Sequence, residues 1–261
     1  LPFVGSDTWN AYECSFLLDN GRPVTGVVKC IYSCSSKYIV ESKSIKLYFN
    51  SFNMTKMAAD KDKAVVAFED TASKDLSRLL QTDVQVKFQD GHQVNEKVDS
   101  PNREWDIDDY HNVDLLDDHK DFVYTQYTED PSLLEGIIRE REFEQMFYSG
   151  LLKSNCRVTS QPDWGDVFIY IKSKTAIDAH SIKNYVVSYR DECHFHEEIC
   201  ECFYKRLKDA FDPSELLVMC LYARRGGIDI NPVRASSQDL IEKYAANLID
   251  PEAVHIKTSK Q

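Results

Sequence analysis

The residues of this 261-residue chain with the types and spacing for covalent chemistry fall in four short segments. The first is Ser154-Asn155-Cys156-Arg157-Val158-Thr159-Ser160-Gln161-Pro162-Asp163-Trp164-Gly165. Here a cysteine and an aspartate seven residues apart share one irregular loop, broken by Pro162 and Gly165. A thiol and a carboxyl so placed suit a nucleophile and its proton donor. The same letters also describe a buried cysteine beside a turn-forming Pro-Asp. The second segment is Cys193-His194-Phe195-His196-Glu197-Glu198-Ile199-Cys200-Glu201-Cys202. Cys193-x-x-His196 is a workable zinc chelate, with Cys200 one helical turn further on. On a helix, however, Cys200 and Cys202 point to different faces and do not easily join one site. The other reading has His196 and Glu197 opening a helix as a polar pair that faces a pocket, and no metal is expected.

The third segment, Arg224-Arg225-Gly226-Gly227-Ile228-Asp229-Ile230-Asn231-Pro232, follows a strand. Two arginines beside paired glycines combine charge with close backbone approach, which suits a phosphate-bearing ligand or an ordinary basic turn. The fourth is Val40-Glu41-Ser42-Lys43-Ser44-Ile45-Lys46-Leu47-Tyr48. Its glutamate can read the donor edge of a heterocycle while the lysines face a cofactor phosphate. Taken alone, the segment reads more readily as a strand whose polar residues simply face water.

An internal repeat positions these segments. Ser44 to Phe52 and Ser181 to Tyr189 both read S-I-K-x-Y-x-x-S-aromatic. Their aromatic and β-branched residues predict strands. A helix is predicted after each, from Val65, Phe68, Ala72, Leu76 and Leu79 in the first half and from Ile199, Phe203, Leu207 and Phe211 in the second. Strands are then expected at Val84 to Phe88 and Leu216 to Tyr222, closed by Asp90-Gly91 and Gly226-Gly227 turns. Upstream strands at Val27 to Tyr32 and Val167 to Ile171 complete a strand, strand, helix, strand order in each half. Agreement of flanking elements with the repeated segment points to duplication. The acidic stretch from about 90 to 130 reads as a solvated linker without chemistry, and Ser237 to Leu248 as one amphipathic helix.

Composition narrows the function classes. Thirty-one Lys and Arg against 43 Asp and Glu give a net charge of −12, unsuited to tracking nucleic-acid phosphates or anionic membrane. No run reaches the length of a membrane helix and nothing at the start reads as a signal peptide. Leu1 is not an initiator methionine, so a processed, trimmed or incomplete start is expected. The eight cysteines are expected as free thiols of a cytoplasmic protein.

Together the four segments resemble the NADPH-dependent 7-cyano-7-deazaguanine reductase family in its long, two-module form. The resemblance is carried by Glu41 to Phe52, Leu151-Leu152-Lys153-Ser154-Asn155-Cys156, Gln161 to Gly165, Phe195-His196-Glu197 and Arg224 to Pro232, in family order. It implies an α+β protein of two tandem tunnelling-fold modules, antiparallel sheets with helices on one face. The modules would span 1–95 and 141–261, with an acidic linker over 96–140. It also implies reduction of a nitrile to a primary amine at the expense of two NADPH, in the making of queuosine, a modified tRNA base. Cys156 would add to the nitrile carbon as a thioimide and Asp163 would donate the proton. Glu41 and Glu197 would hold the base edge, with Val40, Ser42 and His196 lining the site; Ser42, Lys43, Arg225 and Gly226 would hold NADPH. A homodimer with no direct nucleic-acid contact is expected. Arg157, where the family generally has an apolar residue or proline, is a departure that bears on the thiol's acidity or on loop packing. Two readings compete: a zinc hydrolase resembling GTP cyclohydrolase, and a module that binds a deazapurine without turning it over.

Overall fold

The computed structural model describes residues 2–90, 109–116, 123–253 and 257–261. A hairpin of β1 (Val4–Leu18) and β2 (Pro23–Ser33) is followed by α1 (Ser42–Asn50), a short β3 (Lys56–Ala58), α2 (Lys61–Leu80) and β4 (Val84–Asp90). After β5 (His111–Asn112) come β6 (Gly136–Ser149), β7 (Lys153–Cys156), β8 (Pro162–Ile177), α3 (Ala179–Val187) and β9 (Cys193–His194). The chain continues with α4 (His196–Phe211), β10 (Glu215–Tyr222), β11 (Ile228–Ala235), α5 (Gln238–Tyr244) and α6 (Ala246–Ile249).

The repeated segments are helices, not strands. Glu41 caps α1 by accepting hydrogen bonds from the Lys43 and Ser44 N–H groups, and Asp178 caps α3 by accepting from His180. Ile45 and Phe49, four apart, are both buried in α1, as are Ile182, Tyr185 and Val186 in α3. A spacing of three and four lays these side chains on one helix face, and packing of that face outweighs the β preference of the individual residues. The major elements of the first half therefore run strand, strand, helix, helix, strand, and the second half follows the same order through β10 before adding β11, α5 and α6.

The other predicted elements fall where expected. α4 buries Ile199, Phe203, Leu207 and Phe211. α2 buries Phe68, Ala72 and Leu76, but its face is completed by Ala64 and Leu80, leaving Leu79 63% exposed. The four remaining strand predictions lie inside β2, β4, β8 and β10. Gly226 and Gly227 form a turn with φ of +60° and +80°, a region open to glycine. Ser237 to Leu248 breaks at Ala245 into α5 and α6. Gly91 and most of the acidic stretch lie outside the described residues.

The strands form one sheet with central order β4-β2-β1-β11-β10-β8-β6, antiparallel throughout that run. The two halves meet where β1 pairs with β11, from Val4 opposite Ala235 to Ala11 opposite Ile228. Strand alternation sends Val167, Ile169 and Ile171 of β8 to one core with α1 to α4, and Phe168 and Tyr170 to a second core. Phe68 sits in the first, its ring 4.8 Å from Phe52, 5.5 Å from Phe16 and 5.7 Å from Phe88. The second core is roofed by Leu240, Ile241, Tyr244 and Leu248 of α5 and α6. Helices thus cover both faces, unlike the one-faced layer expected. Leu217, Met219, Leu221, Val233 and Ala235 face away from α1 to α4 and need that second cover.

Candidate active site

β7 and β8 form a hairpin that sets Ser154 opposite Asp163. The Cys156 N–H donates to the Gln161 carbonyl at 2.8 Å, and the Ser160 N–H returns to the Cys156 carbonyl at 2.9 Å. Ser160 closes this tight loop at φ +54°. β9 pairs in parallel with β7, Cys156 beside His194, and so delivers the head of α4 to the Cys156 loop. His196 and Glu197 are the first two residues of that helix.

A single cleft of about 370 Å³, open solvent included, gathers most of the predicted residues. Val40, Glu41 and Ser42 enter it from the run into α1, Cys156 and Asp163 from the hairpin, His196 and Glu197 from α4, and Arg225 from the β10–β11 turn. Lys43 and Gly226 are not in its wall. Lys43 is exposed on α1 beside Ser42, and the Gly226 carbonyl accepts from the Lys46 ammonium, which also pairs with Glu13 at 3.0 Å.

The thiol and the carboxyl are both held toward their charged forms. Burial pushes the Cys156 thiol up, but hydrogen bonds from the Thr159 hydroxyl and N–H, the Val158 N–H and the Arg225 guanidinium outweigh it, and its pKa lies below the ordinary cysteine value. Burial likewise raises Asp163, yet His196 and Arg225 overcome this and hold it below the usual aspartate value. The His196 Nε2 lies 3.5 Å from Asp163, and Arg225 pairs with Asp163 directly while its second amino group donates to the Gln161 side chain at 2.7 Å.

The two glutamates differ. Both Glu41 oxygens are engaged in capping, accepting from Lys43 N–H at 2.9 Å, Ser44 N–H at 2.8 Å and the hydroxyls of Ser42 and Ser44. A carboxylate accepts about four such bonds, so Glu41 has little capacity left for a ligand in this arrangement. Glu197 is buried, and its Oε1 has no hydrogen-bond partner. Burial, with the neighbouring Asp7 charge, pushes its pKa up to about 8. A buried oxygen without a partner in a cleft wall is an unfilled acceptor for a ligand donor.

Arg157 acts on loop packing. Its guanidinium pairs with Glu198 at 2.9 Å, reaches the His194 Nδ1 at 3.4 Å and lies over the Phe195 ring. Glu198 in turn accepts from the Phe195 N–H at 2.8 Å, so Arg157 ties the Cys156 loop to the head of α4. Sequence reasoning missed Tyr222, whose ring meets His196 edge-on at 4.2 Å, and Trp9, which lines the cleft. Trp9 comes from a strand distant in sequence, and Tyr222, two residues before Arg224, reads in the sequence only as the end of an apolar strand. Among the described residues no group of three or more His, Cys, Asp or Glu is placed to hold a metal ion. All eight cysteines are free.

Scaffold and cleft bring together, on an α+β sheet, a thiol held below its ordinary pKa, an ionised carboxyl and an arginine. Two family models match the chain: the N-terminal part of nitrile reductase, 7-cyano-7-deazaguanine-reductase, over residues 1–88, and QueF-like protein over residues 162–240. The NADPH-dependent 7-cyano-7-deazaguanine reductase of Colwellia psychrerythraea is 39% identical over 244 residues, covering 90% of this chain and 79% of that protein. Its namesake in Hahella chejuensis is 39% identical over 90% of this chain and 80% of its own length, and that of Coxiella burnetii 37% over 90% and 78%. The chain belongs to the NADPH-dependent 7-cyano-7-deazaguanine reductase family.

Proposed function

We propose that this chain reduces the nitrile of 7-cyano-7-deazaguanine to the aminomethyl group at the expense of NADPH, through a thioimide on Cys156, in queuosine biosynthesis. The single observation that carries the site assignment is the meeting of an acidified Cys156, Asp163 and the unpartnered Glu197 oxygen in one cleft. A nitrile carbon accepts a soft thiolate, and the hydrogen bonds from Thr159, Val158 and Arg225 favour that form of Cys156. Glu197 supplies the acceptor for the donor edge of the base, while Val40, Ser42 and His196 shape the walls. Glu41 contributes mainly by fixing the start of α1. Asp163 hands a proton to the nitrile nitrogen as the carbon–sulfur bond forms.

Ser42, Lys43, Arg225 and Gly226 fit a phosphorylated dinucleotide. The side chain of Arg225 is 28% exposed, and the φ of +60° and +80° at Gly226 and Gly227 lies where side-chain-bearing residues are strained, so the turn depends on glycine. When bound there, NADPH supplies hydride. The recurrence of two strands, two helices and a strand supports two tunnelling-fold modules at 1–95 and 141–261, joined by 96–140. Eight free thiols support a cytoplasmic setting, and a homodimer acting on a small molecule, without direct nucleic-acid contact, is the assembly we propose. No described helix is long and apolar enough to cross a membrane.

Mixing the protein with 7-cyano-7-deazaguanine without NADPH tests this. One substrate mass is expected on Cys156, lost in Cys156→Ala, with adduct formation slowed about 100-fold or more in Asp163→Asn. An adduct on Cys193, Cys200 or Cys202 would move the site elsewhere.

A further inference from the structure

Arg225 stands where a cofactor residue is expected, yet every contact of its guanidinium described above is with the nucleophile hairpin. It pairs with Asp163 on β8 and donates to the Gln161 side chain at 2.7 Å, and it is one of the groups that hold the Cys156 thiol below its ordinary value. We propose that Arg225 is a positioning residue of the covalent step: it clamps the loop between Cys156 and Asp163 and holds thiol and carboxyl in register before any cofactor binds. This rests on the reading of Cys156 as the nucleophile.

The geometry around Asp163 singles Arg225 out. α4 presents His196 at 3.5 Å and the buried Glu197, β10 presents Tyr222, β7 carries Cys156, and the run into α1 brings Glu41 to the same cleft. Of these groups only His196, when protonated, adds positive charge; Glu197 and Glu41 add negative charge or none. Arg225 is the permanent cation. Its planar fork can hold a carboxylate and an amide oxygen together, which a single ammonium cannot do with the same geometry.

The arginine is itself held from the other half of the chain. The Lys46 ammonium binds the carbonyl of Gly226, the next residue, and pairs with Glu13 at 3.0 Å. The Arg225 N–H and carbonyl both bond Ile228 across the turn. α1 therefore steadies the turn, and the turn steadies the nucleophile loop.

The step served is redox-neutral. The S–H bond and one C≡N π bond are lost, C–S and N–H bonds form, and the proton leaving sulfur is balanced by the one Asp163 delivers to nitrogen. With Arg225 paired, Asp163 favours its anion, so it must first take up that proton. The clamp thus favours attack by sulfur, and its loosening favours proton delivery.

Cofactor-free measurements separate this role from NADPH binding. Alkylation of Cys156 by iodoacetamide, followed by peptide mapping across pH, reads the thiolate directly. Thioimide formation without NADPH reads the step itself. In Arg225→Gln the alkylation midpoint should move up, and adduct formation at neutral pH should fall at least tenfold. Arg225→Lys should restore part of the midpoint but little of the adduct rate, because it returns charge without the fork. Should Arg225→Gln fail to fold, Arg225→Lys carries the test through its adduct rate. A midpoint and adduct rate equal to wild type, with only the KM for NADPH raised, would overturn the proposal and leave Arg225 a cofactor residue. Failure of the wild type to form any adduct would overturn the proposed function instead, and the alkylation midpoint would still decide whether Arg225 acts on the thiol.

Discussion

Glu197 combines burial, an unpartnered oxygen and a pKa raised to about 8, so near neutral pH much of it is the neutral acid. A guanine-like edge presents N–H donors and selects the carboxylate. Binding must then release the proton, and affinity is expected to rise with pH about tenfold per unit until near pH 8, then level off. Calorimetry on Cys156→Ala isolates the noncovalent part; an affinity that is flat from pH 6 to 8 would remove Glu197 from base recognition. The same raised pKa has a stability consequence of definite sign. Its contribution is fully present below the usual glutamate value near 4.5 and is lost as pH rises through about 8. In the sequence, residue type and spacing left Cys156, Asp163, His196 and Glu197 each with a plain structural reading beside the chemical one, and it was the family resemblance that chose between them; the structure brings all four to one cleft. The commitment of Glu41 to capping was not legible there, because it follows from α1 being a helix, and the aromatic letters of that segment argued for a strand.

At the scale of elements, α1 and α3 show how aromatic residues mislead. Tyr48, Phe49 and Phe52 favour strands individually, but their spacing of three, four and seven from Ile45 places them against Phe68 and its neighbours. Phe68→Ala should cost about 3–5 kcal/mol in denaturant unfolding, since it opens a cavity among four rings. α2 and α4 were readable because one apolar stripe continues for several turns. Arg157 calls for a different expectation. It is 47% exposed in its pair with Glu198, so Arg157→Ala should change stability by no more than about 1 kcal/mol. Its effect should appear in chemistry, as slower thioimide formation with substrate affinity unchanged, because the nucleophile loop loses its tie to α4. Equal loss of affinity and rate would instead place Arg157 in the binding surface.

Over the whole molecule, the seam between the halves and the site share charges. Arg234, buried in β11, pairs with Asp7 of β1 at 2.8 Å and with Glu201 of α4 at 2.9 Å. It is also one of the charges that lower the Glu197 pKa. Arg234→Met leaves Asp7 buried without its cation, so a loss of about 3–5 kcal/mol is expected in denaturant unfolding. The Glu197 titration should move further up, read as a shift of the pH profile of substrate binding; an unmoved profile would uncouple seam from site. The repeated segment was visible in the sequence, but the pairing of β1 with β11 was not, since strand partners so far apart share no local signal.

That pairing has a consequence for synthesis. Among the described strands β1 is made first, yet the partner for one of its edges is β11, made after all the others, and translation proceeds at roughly 5–20 residues per second. Through that interval the nascent first half carries an unpaired edge beginning at Val4, open to any extended chain nearby. The first half made alone should therefore self-associate, and supplying the second half as a separate polypeptide should suppress this by taking up the edge. Light scattering of the two fragments, apart and mixed, measures it.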